Sequence, residues 1–210
     1  MTPHAAEAES KPTPTVTVEG PPAALDACPA LRGALGFLVE GLEGRPPDEV
    51  ASVLARLLAQ ASPCAGSLRV ILRDGLRVGE SEAACGLVVP AEETTFGHAD
   101  IVAEGDDYGV YRLRIAPGCA IPTHEHRRTD EWEYALSGNL TLQGEPFAIG
   151  DAVRWPVRFA HRWENLGLDE AVIVCIDRPR FDAADELPVP MAHLEKCPPT
   201  FRSPCDLEER

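Results

Sequence analysis

Apolar residues recur at two different periods along this chain, and the change of period falls near residue 66. From Pro29 to Leu42, apolar positions at Leu31, Leu35, Leu38 and Leu42 follow the three-to-four spacing of one helix face. Gly44, Arg45, Pro46 and Pro47 break that run. Asp48 then reads as an N-cap for a second helix carrying Val50, Val53, Leu54, Leu57 and Leu58. The pattern predicts a helical hairpin over 28–62, its apolar stripe packing on the rest of the molecule or on a dimer mate; binding of a separate partner is the sharper alternative.

Beyond Ser67 the period shortens to that of strands. Short apolar runs at Leu68–Leu72, Gly86–Val89, His98–Val102, Gly109–Ile115, Glu131–Leu136, Leu140–Leu142, Ala152–Trp155, His161–Glu164 and Ala171–Ile176 are punctuated by Gly, Pro and Asp. Many short, evenly spaced strands predict a mainly β fold, one jelly-roll barrel over 66–180 with the hairpin ahead of it. Residues 1–27, rich in Pro, Thr, Ala and Glu, are expected to be disordered. Residues 181–210, with prolines at 188, 190, 198, 199 and 204, read as an extended cover or arm.

Composition narrows the classes. A net charge of −15 argues against nucleic-acid backbones and anionic membrane surfaces as partners. No long apolar run and no leader-like start are present, so a soluble, cytoplasmic protein is expected. Seven cysteines without a CxxC pair fit a reducing compartment; Cys119 and Cys175 lie in the barrel region, where they either approach the metal or, the favoured reading, pack as small apolar residues.

The chemistry concentrates between residues 118 and 165. His124 and His126 are two apart, so on one strand they share a face while Glu125 points the other way. Four polar residues then allow the chain to turn and bring Glu131 from a neighbouring strand, and His161 arrives from a third segment beyond Gly138 and Gly150. Three imidazoles and a carboxylate inside a small barrel suit one divalent ion, with Fe(II) favoured and Mn, Ni, Cu or Zn also served by such donors. Alternation places Glu133 on the interior face with Glu131, where a buried carboxyl is a candidate general base; the competing reading pairs it with an interior arginine. On the strand 109–115, Tyr111, Leu113 and Ile115 are the expected interior set, with Arg112 and Arg114 outside. Between Arg112 and Arg180, nine arginines stand against ten acids, so a bound cation makes this region locally positive. A small anionic substrate follows as an expectation; the competing reading pairs these arginines with nearby acids on solvated strand faces.

Gly118-x5-His124-x-His126-x4-Glu131-x6-Gly138, followed by Gly150-x5-Pro156-x-Arg158-x2-His161-x3-Asn165, resembles the paired motifs of the cupin superfamily. The one departure is Arg158, where the family usually has glycine. The resemblance implies a cupin-type double-stranded β-helix, with His124, His126, Glu131 and His161 as metal ligands and Gly118, Gly138, Gly150 and Pro156 as turn residues. It also implies a homodimer, and a small-molecule dioxygenase using iron and O2 is the leading activity. A metal-dependent lyase or isomerase with Glu133 moving a proton is the second. The third is a non-enzymatic regulator of the anti-sigma type; such regulators carry an N-terminal His-and-Cys zinc cluster, whereas here His4, Cys28 and Cys64 stand apart.

Overall fold

Two facing β-layers and a helical hairpin account for most of the described residues. The computed structural model describes residues 15–19, 29–61, 69–74, 77–82 and 89–194. The hairpin is α1 (Pro29–Gly41) and α2 (Pro47–Ala61). Helix α2 starts one residue before the expected cap, at Pro47. A proline fits the first helical position because its φ is preset and its missing N–H would be unpaired there anyway. Asp48 and Glu49 thus lie in the first turn, where negative charge complements the helix dipole.

Strands β1 (Thr15–Glu19), β2 (Arg69–Asp74) and β3 (Arg77–Glu82) form a separate antiparallel sheet in that order. Composition placed residues 15–19 in an unstructured stretch; here they pair with β2 from Thr15 opposite Arg73 to Glu19 opposite Arg69. Alternating Thr and Val suit a strand once an edge is offered for pairing. The rest of the expected N-terminal disorder and most of the Gly86–Val89 run lie outside the described residues.

The barrel is built from β4 (Ala91–Thr94), β5 (Gly97–Glu104), β6 (Gly109–Ile115), β7 (His124–His126), β8 (Asp130–Ser137), β9 (Leu140–Leu142), β10 (Glu145–Pro146), β11 (Ala152–Trp155), β12 (Trp163–Asn165), β13 (Ala171–Arg178) and β14 (Glu186–Pro188). One wall is a six-stranded sheet ordered β11-β8-β13-β6-β5-β4. The other is assembled from β10-β9-β12 and β14-β7, joined through the bridges His124–His161 and Ala120–Glu164. His161 therefore precedes its strand rather than starting it.

Side-chain alternation on the large sheet separates two apolar cores. Trp132, Tyr134, Leu136, Val174, Ile176 and Val110 point outward and pack beneath the apolar stripes of both helices. Ala135, Ile173, Ile115, Val153, Trp155 and Trp163 point inward and fill the barrel. The hairpin's stripe is thus spent on its own barrel. Gly33 and Gly41 let α1 lie close to the sheet, since a Cβ at either would overlap Tyr134 or Ile176. Tyr134 Oη donates to the Ala30 carbonyl at 2.8 Å and pins the helix start. Among the described residues, no helix is long and apolar enough to cross a membrane.

Candidate metal centre

All four residues singled out by spacing meet inside the barrel, and all are buried: His124, His126, Glu131 and His161. Each offers one ligand atom, and these atoms lie within 4.8 Å of one another. Three local devices produce this. The pleat of β7 turns both of its histidines to one face. Backbone exchange between His124 and His161, at 3.2 and 2.9 Å, fixes the second segment against the first. Pairing of β8 with β11 sets Glu131 opposite Trp155, in the same layer.

Backbone carbonyls orient two of the rings. Nδ1 of His124 lies 2.7 Å from the Pro122 carbonyl and Nδ1 of His161 lies 3.2 Å from that of Phe159. Each Nδ1 donates its proton there, and Nε2 is left to face the centre. Glu131 Oε2 lies 2.9 Å from Nε2 of His161 and 3.4 Å from Nε2 of His126. Apart from their contact with each other and with His126, Glu131 Oε2 and His161 Nε2 are buried without a hydrogen-bond partner. Buried polar atoms are costly when unpaired, and three nitrogens with one oxygen converging in this way fit a divalent cation.

Electrostatics follow from that crowding. Burial holds the His124 pKa down to about 3, helped by the nearby His161. Burial also disfavours charge on His161, but Glu131 overcomes it and lifts the ring to about 9. Burial alone would raise Glu131; the imidazoles of His161 and His126 hold it well below the usual carboxylate range instead.

Glu133 is interior, as alternation requires, and is pushed up to about 7 by burial and by the charge of Glu131. Its partner is no arginine. The indole N–H groups of Trp155 and Trp163 both donate to its Oε2. Trp155 in turn stacks on His161 at 4.8 Å with planes 8° apart, so Glu133 supports the wall of the site.

Of the two readings open for Cys175, the structure takes the one beside the ligands rather than apolar packing. This residue faces the interior beside Glu131, its thiol 3.2 Å from Glu131 Oε1 and 2.9 Å from Asp177 Oδ1. Glu131 Oε1 is thereby occupied, and Oε2 alone faces the imidazoles. Burial first, then Glu131, raises Asp177 well above its ordinary value. Asp177, two residues on from Cys175 and opposite Glu131, shares that face, which alternation along 171–178 in register with 131–137 would have revealed.

Long-range pairing brought three residues that sequence spacing missed. After β13, Phe181 lays its ring against Tyr111 and His126, at 6.3 and 6.4 Å between centroids. Asp185 is buried and accepts bonds from the N–H groups of Arg128 and Thr129, from the Thr129 hydroxyl and from the Arg128 guanidinium. Glu186 stands opposite His126 in the β14–β7 pair. The expected cover over 181–210 is therefore, through residue 194, a strap on the ligand strand.

Arg158 takes φ +65°, the backbone setting for which glycine is suited, and its N–H donates to the His126 carbonyl at 2.7 Å. The turn keeps its shape with a side chain added. Five of the nine arginines behind the expected anionic substrate are paired with acids, as the alternative reading of them expected. Arg112 and Arg114 meet Asp100, Arg128 meets Asp182 and Asp185, Arg154 meets Asp130, and Arg162 meets Glu164. As expected, Arg112 and Arg114 leave the interior to Tyr111 and Ile115.

A family model described as "Cupin domain" matches residues 111–177. Among solved structures, KdgF from Halomonas sp. is 26% identical, with 45% of this chain and 92% of that one covered and a TM-score of 0.39. A protein from Planctomyces limnophilus is also 26% identical, covering 47% and 88% at a TM-score of 0.39. An oxalate decarboxylase variant from Bacillus subtilis is 21% identical, covering 48% and 30% at 0.41. No curated protein sequence matches the chain.

Proposed function

From its membership of the cupin superfamily, through the domain at residues 111–177, we propose that this chain is a metal-dependent enzyme, a non-haem iron dioxygenase acting on a small molecule. The observation that carries the reading is the convergence of four buried donors, two of which, Glu131 Oε2 and His161 Nε2, have no other partner. His124, His126, Glu131 and His161 would hold the ion. Three imidazoles and one carboxylate oxygen leave coordination positions open, and Fe(II) bound there supplies contact between an organic substrate and O2. Mn, Ni, Cu and Zn suit the same donors.

The chain's own residues contribute position and shielding. The carbonyls of Pro122 and Phe159 orient the His124 and His161 rings and hold their Nδ1 protons, so that Nε2 is the atom each would offer to the ion. Trp155, buried and flat against His161, keeps water from the inner side. Phe181, 39% exposed, flanks His126 from the outer side. Cys175 leaves Glu131 with a single free oxygen.

Protein purified without added metal and assayed for metal content should carry one transition-metal ion per chain. Reloaded with Fe(II) under argon, it should consume O2 when offered a substrate from a panel of small oxygenated or thiol-bearing molecules. Retention of no transition metal would remove the reading at its root.

One observation favours a second reading, a metal-dependent lyase or isomerase. Glu133, held at about 7, is suited to take and return a proton near neutrality. That reading expects turnover under argon, abolished in Glu133→Gln.

A further inference from the structure

The strap that closes β14 onto β7 brings a carboxylate to the metal centre from outside both sequence motifs. Directly opposed residues of an antiparallel pair project to the same face, so Glu186 shares the face of His126, and that face meets Glu131 and His161. Glu186 is half-buried, and His126, Glu131 and His161 are the charged groups that act on it most. Among the described residues no cation is paired with it. The neighbouring Asp185 lies behind His126, its Oδ2 3.9 Å from Nδ1 of that ring, and is satisfied by Arg128 and Thr129.

Resting on the proposed metal site, we infer that the centre selects small organic molecules that are neutral or cationic and carry hydrogen-bond donors, and that Glu186 is the residue that recognises those donors. Once the ion has taken the place of the His161 proton, no arginine or lysine among the described residues is seen at the ligands. Glu131 and Glu133 line the interior with carboxyl groups; Arg112, Arg114, Arg128, Arg154 and Arg162 are engaged with Asp100, Asp130, Glu164, Asp182 and Asp185, and Arg158 lines a recess with Glu125 and Leu187, on the other side of the β7–β14 pair. A divalent ion bound by Glu131 leaves one positive charge, and Glu186 offsets it. An anionic ligand reaching the open positions would meet the Glu186 carboxylate at short range. A hydroxyl or ammonium group would instead donate to it while a second heteroatom reached the ion. Phe181, lying across His126, adds an apolar wall for a carbon skeleton.

The test uses Co(II)-loaded full-length protein and reads the visible Co(II) spectrum during titration with two probes sharing an imidazole head. One is histamine, with an ammonium arm; the other is imidazole-4-acetate, with a carboxylate arm. Intrinsic chelating strength cancels when the ratio of the two affinities is compared between variants. That ratio should fall about tenfold in favour of the acetate on going from wild type to Glu186→Gln, the size of one nearby charge in a half-exposed site. In Glu186→Lys the fall should be larger still. An unchanged ratio with Co(II) still bound would overturn the role of Glu186 and leave the metal reading standing. Loss of Co(II) from Glu186→Gln alone would overturn it too, since Glu186 would then serve the ion itself. Failure of the wild type to take up Co(II) would remove both readings.

Discussion

His161 is the residue on which proton and metal compete most directly. Glu131 lifts its pKa to about 9, so near neutrality the ring is charged and a cation must displace its proton. Uptake of Zn(II) at pH 7 should therefore release about one proton from this ring, seen as an ionisation enthalpy that varies with buffer in calorimetry. Affinity should climb as pH rises towards 9; a flat profile between pH 6 and 9 would contradict the assignment. Arg158 gives a second test at this scale. Its φ of +65° is tolerable for a straight side chain and worse for a β-branched one. Arg158→Gly should stay within about 1 kcal/mol of wild type, and Arg158→Val should lose roughly 1–2 kcal/mol in chemical denaturation.

Among the elements, the strap over 178–188 depends on one buried carboxylate. Bonds from Thr129 and Arg128 hold Asp185 at about 2 despite its burial. A depressed folded pKa means that the anchoring is complete above the ordinary carboxylate range and is lost as pH falls from about 4 towards 2. Hydrogen exchange at Phe181–Val189 should accelerate across that window ahead of the barrel strands. Asp185→Ala should produce the same local opening at neutral pH, at a cost of roughly 2–3 kcal/mol for a buried charge-assisted bond set. Equal protection in wild type and variant would show that the strap is held by β14 pairing alone.

On the scale of the whole molecule, the hairpin and the large sheet share one core. Leu54 is fully buried in the cluster that also holds Val102, Tyr134 and Val174. Hairpin and barrel should consequently melt in one transition, which Leu54→Ala lowers by roughly 2–5 kcal/mol in stability without splitting it. Two resolved transitions in calorimetry would refute a common core. A homodimer, expected from family resemblance, would need a surface other than the outer face of the six-stranded sheet, which α1 and α2 already cover.

The sequence alone determined what depends on short-range order. Helix periodicity placed both helices within a residue or two, because amphipathic spacing is written locally. Strand alternation set His124, His126, Glu131 and Glu133 on interior faces for the same reason, and Gly118, Gly138 and Gly150 do take the positive φ their turns require. Tertiary structure decided everything that rests on a partner far along the chain. β1 exists because β2, some fifty residues later, offers an edge; Cys175 and Asp177 become part of the centre only when β13 lies beside β8; and Glu186 reaches it only because β14 pairs with β7. Charge meets the same boundary. Counting arginines against acids leaves both a positive site and paired strand faces open, and only cross-strand packing shows that Arg112, Arg114, Arg128, Arg154 and Arg162 each meet an acid.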